Sequence, residues 1–209
     1  MLTTTVALAN DLPLWKIIED QALELTGGPR EHKLNEALTE AKQFNQPDGY
    51  PQSECLFELG VYFTDIGKTA QAEKYFFEAA DLKNAALHNS IFGLEAKEDK
   101  STHSPIVFLP AYGDAKAEHQ GKVHDLANCL SWLGRAYTAE KKYEEAEDVF
   151  KKALALLDTS QDPDHESILL PETLLRAAKV QRLLNHLNEA KKMEEKACFI
   201  LHNRHALDR

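Results

Sequence analysis

Along most of the chain, apolar residues recur at steps of three and four, the period of an α-helix. The 209 residues include only nine glycines and eight prolines. These breakers fall between the periodic stretches: Gly27-Gly28-Pro29, Pro47 to Pro51, Pro105 to Pro110, and Asp162-Pro163-Asp164. The pattern predicts an all-α chain of helices joined by short connections. It also repeats. Ser53 to Asn84 carries Leu56, Leu59, Gly60, Phe63, Ala72, Phe76 and Ala79, and Ala127 to Asp158 carries Leu130, Leu133, Gly134, Tyr137, Ala146, Phe150 and Ala153. Successive spacings are the same in both sets: three, one, three, nine, four and three.

The spacing describes a helical hairpin. In the first half of each unit the large apolar residues share one helix face, and Gly60 or Gly134 lets a second helix approach the backbone closely. A polar turn follows, Ile66 to Ala70 in one copy and Glu140 to Tyr143 in the other. In the second half, Ala72 and Ala79, or Ala146 and Ala153, are the small residues of the facing helix, and Phe76 or Phe150 fills the space between. One apolar side is left over, and stacking neighbouring hairpins buries it.

This pattern resembles the tetratricopeptide repeat, most closely from Leu130 to Leu154. The linker Asp162-Pro163-Asp164-His165 is similar to that of the longer kinesin-light-chain-like subtype. A third copy starts at Pro171, with Leu174, Ala177, Ala178, Ala190 and Ala197, and departs from the pattern at Gln181 and Glu194, where an aromatic is expected. Terminal repeats are often atypical because one face meets water. The resemblance implies a right-handed α-α superhelix spanning 1–209 as a single domain. Its parts would be a degenerate N-terminal hairpin over 1–50 (Leu12 to Leu25 and Glu31 to Phe44), repeats over 53–84 and 127–158, an irregular repeat over 85–122, and a C-terminal hairpin over 171–204. For the irregular repeat, Ala86 to Lys97 is the expected first helix, since Gly93 lies 33 residues after Gly60, and the second falls near Gly113 to Lys122.

A stack of such hairpins turns the first helix of each unit towards the concave side. The inward positions are then Glu54, Phe57, Glu58, Val61 and Thr64 in one repeat, and Asn128, Ser131, Trp132, Arg135 and Thr138 in the next. In the last they are Glu172, Leu175, Arg176, Lys179 and Arg182. The expected groove is acidic at its N-terminal end and basic at its C-terminal end. The candidate partner-binding residues are Asn128, Trp132, Arg135, Arg176, Lys179 and Arg182. Guanidinium forks bind carboxylates at two points and Trp132 supplies an apolar anchor, so the expected partner is a protein or peptide segment, acidic where it meets these cations. Solvation of the cations, or pairing with Glu140, Glu145 and Glu172, is the competing reading. The Lys/Asn clamp that the family uses for chaperone C-termini is replaced by Phe57, Val61 and Ser131, so that ligand is not expected.

The segment Ser101 to Tyr112 is apolar and cannot be helical through Pro105 or Pro110. It is expected to pack on its own scaffold, to cover the groove, or to contact a second subunit. The alternative function is therefore a structural subunit that self-associates, as a homodimer for instance, through this loop or an exposed repeat end.

Composition narrows the function classes. Lys plus Arg is 24 against 34 Asp plus Glu, a net charge of −10. Phosphate contacts need a dense basic face, so nucleic acid is not an expected partner. No apolar run reaches the roughly 20 residues of a membrane span, and Met1 to Asn10 lacks the basic start of a secretory signal. Cys55, Cys129 and Cys198 are odd in number and far apart, which favours a reducing, cytoplasmic setting. His119, His124 and Cys129 are spaced by five, so a helix does not put them on one face. Cys198 and His202 can share a face but make only two ligands. No phosphate loop, nucleophile elbow or zinc-protease motif occurs. The expectation is a scaffold that is not an enzyme and takes no metal and no cofactor.

Overall fold

The structure is a computed structural model that describes residues 12–44, 49–99, 110–159 and 168–207. The N-terminal stretch to Asn10, Ser101 to Leu109 of the apolar segment, and the linker at Asp162 to His165 lie outside the described residues. Eight helices and no strand occur among the described residues, an all-α fold. Two compact units divide after Leu82. The first holds α1 (Leu14–Leu23), α2 (Gly27–Gln43), α3 (Tyr50–Asp65) and the opening turns of α4 (Thr69–Asp99). The second holds the rest of α4, then α5 (Pro110–Ala139), α6 (Tyr143–Thr159), α7 (Leu169–Leu183) and α8 (Leu187–Leu207).

Three short turns of one design connect α3 to α4, α5 to α6 and α7 to α8. Each has a left-handed residue: Gly67 at φ 75°, Lys141 at 62° and Asn185 at 64°. The next amide then reaches back across the helix end, Lys68 N–H to the Phe63 carbonyl at 2.8 Å, Lys142 to Tyr137 at 2.9 Å, and His186 to Gln181 at 2.7 Å. Carbonyls that the helix end would leave unpaired are thereby satisfied. The equivalence carries the third hairpin into register with the first two.

The two matched repeats close on the same contact. A Cβ built on Gly60 would lie 2.6 Å from the Phe76 ring, and one on Gly134 would lie 2.7 Å from the Phe150 ring. Both phenylalanines are fully buried, so neither ring can swing away cheaply. Phe150 gathers a core with Ala146, Ala177 and Val180, against which Tyr137, Tyr143, Leu154 and Met193 pack. In the first unit Phe57 lies 5.7 Å from Phe76 between centroids, and Phe63 stacks on Tyr75 at 5.3 Å. Cys55 and Cys129, at the same position of their repeats, are free and buried, whereas Cys198 is exposed.

The third hairpin changes both halves of this contact. Ala178 stands at the glycine position, and Glu194 stands at the phenylalanine position. The added methyl of Ala178 removes the room for a ring, and the two helices are instead tied by Arg182, which donates Nε and Nη2 to the two Glu194 oxygens at 2.7 Å each. Gln181, at the other missing aromatic, is buried. Its amide nitrogen donates to Glu147 of α6 at 3.0 Å, and its oxygen meets His186 Nδ1 at 2.9 Å. That hydrogen bond, more than the neighbouring Lys151, holds the Glu147 carboxyl below the usual carboxylate range.

The irregular repeat differs from expectation. No turn separates Gly113 to Lys122 from the repeat that follows, because α5 runs unbroken from Pro110 to Ala139. Likewise Ala86 to Lys97 continues α4 instead of starting a new helix. The reason is local: after Pro110 no proline follows until Pro163, and glycine alone weakens a helix by only about 1 kcal/mol relative to alanine. At the N-terminus, Gly27 to Pro29 form the first turn of α2 and the break falls at Glu24 to Thr26. Proline is tolerated there because first-turn amides lack intrahelical partners.

A buried charge lies in the first unit. Glu19 of α1 is 1% exposed, and one carboxylate oxygen accepts from Lys16 Nζ at 2.5 Å. Its other oxygen, Oε1, accepts no hydrogen bond. Burial outweighs the Lys16 pairing and raises the Glu19 carboxyl above its ordinary value.

Two outcomes follow. Gly134→Ala gains about 1 kcal/mol of helix propensity but forces a methyl into the Phe150 ring, an overpacking of about 1–3 kcal/mol. Chemical denaturation should show net destabilisation, and in a Phe150→Leu background the same substitution should lose less; additive effects would reject the contact as the cause. Second, a carboxyl raised in the fold binds more protons folded than unfolded, so its contribution to stability grows as pH falls from neutral towards the carboxylate range near 4.5. Glu19→Gln should melt higher than the parent at neutral pH, with the gap closing on acidification. A gap that is constant with pH contradicts this.

Candidate functional site

The expected inward positions lie on α3, α5 and α7. Within the first unit α1 and α3 touch, and within the second α5 and α7 touch, so each unit has a face built from alternate helices. On the second unit's face, Trp132 and Arg135 come from α5 one turn apart, and Arg176 comes from α7. The Arg135 guanidinium lies 4.2 Å from the Trp132 ring centroid, and that of Arg176 lies 5.7 Å from the same ring. One indole thus collects two cations by cation–π attraction.

The two arginines are held differently. Arg176 donates to Ser131 Oγ at 2.9 Å and to Glu172 at 2.9 Å. Thr173 Oγ1 donates to the same Ser131 hydroxyl at 3.1 Å. Burial, with Arg135 adding to it against Glu172, pulls the Arg176 guanidinium below its usual value. Ser131 is fully buried, so it lines no groove and instead pins α7 to α5. Arg135 and Lys179 are exposed, and among the described residues neither forms an ion pair. Asn128 is half-buried on α5.

Arg182 is placed apart from this group. Its guanidinium is turned to Glu194 of α8, a partner that inward-position counting on α7 alone does not reveal. Glu172 pairs with Arg176. The threonines at the last inward position bond their own helix, Thr64 to the Gly60 carbonyl at 2.9 Å and Thr138 to Gly134 at 2.7 Å. Two exposed leucines, Leu175 and Leu183, flank Lys179 four residues to either side on α7. The face is therefore cationic at Arg135 and Lys179, aromatic at Trp132 and apolar along α7.

The first unit's face carries the opposite sign. Glu54 and Glu58 of α3 are half-buried, and Arg30 of α2 approaches Glu58 at 3.7 Å and Asp65 at 3.9 Å. Arg30 also lies 6.0 Å from the Tyr62 ring, whose hydroxyl donates to Glu31 at 3.3 Å. Among the described residues no three His, Cys, Asp or Glu side chains are grouped to hold a metal ion, and no helix is long and apolar enough to cross a membrane.

Residues 121–200 match the tetratricopeptide repeat family model. That span covers the second half of α5, all of α6 and α7, and most of α8. No curated protein matches the sequence. Among solved structures, the chain is similar to BtubC (BKLC) from P. vanneervenii, with 17% identity, 97% of this chain and 82% of that one covered, and a TM-score of 0.40. It is also similar to MamA from Desulfovibrio magneticus RS-1, at 15% identity, 91% and 94% coverage and a TM-score of 0.32. A third is the assembly chaperone of RpL4, at 16% identity, 89% and 75% coverage and 0.38. The hairpins of the second unit are those that the family model describes, so residues 121–200 are similar to tetratricopeptide repeats.

Proposed function

We propose that the chain is a non-catalytic protein-interaction scaffold whose α5–α7 face binds a partner segment that is acidic where it meets Arg135 and Lys179. The repeat fold supports the general role, since stacked hairpins present a continuous surface and the ligand is chosen by its side chains. The Trp132 cluster supports the particular one. Among the described residues Arg135 and Lys179 are cations without a carboxylate partner, set beside an indole and two exposed leucines. A segment alternating leucine and glutamate would bury the apolar side chains and place carboxylates on the guanidinium. Arg176 lies behind as a fixed second charge, and Arg182 serves the α7–α8 contact.

A second reading rests on the α7–α8 hairpin. Leu187 occupies the position of Tyr143, which packs onto the following hairpin, yet Leu187 is 57% exposed and Leu183 is 47% exposed. Self-association through this hairpin would cover them.

Two measurements separate the readings. Anisotropy of a dye-labelled Leu/Glu peptide should report binding that weakens at least tenfold in Arg135→Glu/Lys179→Glu and changes little in Arg182→Ala. An unchanged affinity in the double reversal overturns the first reading. Light scattering across concentrations should show a dimer that Leu187→Glu dissociates if the second holds; a mass that does not depend on concentration or on the substitution removes it.

A further inference from the structure

The α6 helix receives the following hairpin along one ridge. Tyr143 packs on a core that includes Ala177 and Val180 of α7, and Glu147 accepts from Gln181. Continued at steps of four, the ridge reads Tyr143, Glu147, Lys151 and Ala155. The matching ridge of α8 is Leu187, Lys191, Glu195 and Phe199. All four are exposed: Leu187 by 57%, Phe199 by 67%, and the Lys191 and Glu195 side chains by 74% and 65%. The other side of α8 is turned to α7, with Ala190 and Ala197 fully buried and Met193 against the Phe150 core. Among the described residues α7 is the helix that α8 packs on.

The order along this ridge is its own complement. Read one way it runs apolar, cation, anion, apolar; read the other way it runs apolar, anion, cation, apolar. Two antiparallel copies therefore set Leu187 against Phe199 of the second copy and Lys191 against its Glu195. The same two contacts recur across the two-fold axis. Parallel copies would instead set lysine on lysine and glutamate on glutamate, which repel. Within one helix Lys191 and Glu195 lie 3.7 Å apart, near the outer range of an ion pair. An antiparallel copy turns that loose pair into four alternating charges. Phe199 stands where α6 has the small Ala155, so on α8 both ends of the ridge carry a large apolar side chain.

We propose that the ridge Leu187–Lys191–Glu195–Phe199 binds a second copy of this chain, α8 against α8 in antiparallel order, with the two-fold axis between Lys191 and Glu195. This rests on self-association through the α7–α8 hairpin and fixes its surface and direction. One helix face per copy is a small interface, so the dimer is weak and concentration-dependent. Trp132, Arg135 and Lys179 take no part in it.

Sedimentation equilibrium of the full chain measures the dimer Kd. Lys191→Glu alone and Glu195→Lys alone each put like charges across the axis, and each should raise Kd by about fivefold or more. An equimolar mixture of the two variants restores every pair between copies, although neither chain regains its internal pair. The mixture should return Kd to within about threefold of the parent. Net charge predicts another order, because Glu195→Lys makes an acidic chain less acidic and would tighten association. Circular dichroism melts confirm that the variants are folded, which exposed positions favour. A Kd unchanged in either single variant, tightened by Glu195→Lys, or not recovered in the mixture overturns the antiparallel contact. If Leu187→Glu still dissociates the parent dimer in that case, self-association through the hairpin stands and its geometry alone fails. A parent mass that does not depend on concentration removes both.

Discussion

The seating of one aromatic ring on a helix backbone that has no Cβ governs the hairpins of this protein. Phe76 on Gly60 and Phe150 on Gly134 set how closely paired helices approach, and a single methyl at either glycine would fall inside the ring's contact distance. The contact dictates what else is possible around it. Alanines at 72, 79, 146 and 153 keep the facing helix smooth, and the left-handed turns at Gly67 and Lys141 reverse the chain at the fixed distance. The third hairpin shows the rule by breaking it on both sides at once. With Ala178 in place of glycine, a phenylalanine opposite has no room, and the Arg182–Glu194 fork takes over the tie between the helices.

That exchange reaches into function, because it gives a surface cation a fixed carboxylate partner. Arg182 belongs to the α7–α8 contact, and Arg176 is spent on Ser131 and Glu172. Among the described residues, the cations of this face without an ion pair are Arg135 on its indole and Lys179 beside the leucines of α7. The two units also treat buried polar groups differently. In the second, the Ser131–Thr173–Arg176 and Glu147–Gln181–His186 sets pair their members. In the first, Glu19, Arg30 and Trp15 each leave a buried polar atom unpaired. Unpaired buried polar atoms are expensive, and among the described residues these three mark the first unit as not optimised for stability alone.

Much of the hairpin architecture was legible because it depends on residue size at fixed spacing. Glycine against phenylalanine, alanine against leucine, and the polar turn are local patterns, and Gln181 and Glu194 stand out against them as departures. The helix boundaries between repeats were not legible. Whether Ala86 to Lys97 and Gly113 to Lys122 start new helices depends on turns for which that stretch has no strong breaker, and both simply continue α4 and α5. The site was half legible. Helical spacing alone places Trp132 and Arg135 together, but it cannot see that Arg182 bends to Glu194 twelve residues on, or that Ser131 is sealed between α5 and α7.

The sequence by itself determined the helical class, the hairpin unit and its small-to-large packing code, since these are written in periodicity and in side-chain volume. Tertiary structure decided which charges remain available, because a long side chain's partner is chosen by whichever helix packs beside it. Arg176 and Arg182 read identically to Arg135 and Lys179 along the chain, and only the packing of α7 against α5 and α8 tells them apart. The same holds for Glu19, an unremarked acid in the sequence that the packing of α1 makes the most deeply buried charge described in the fold.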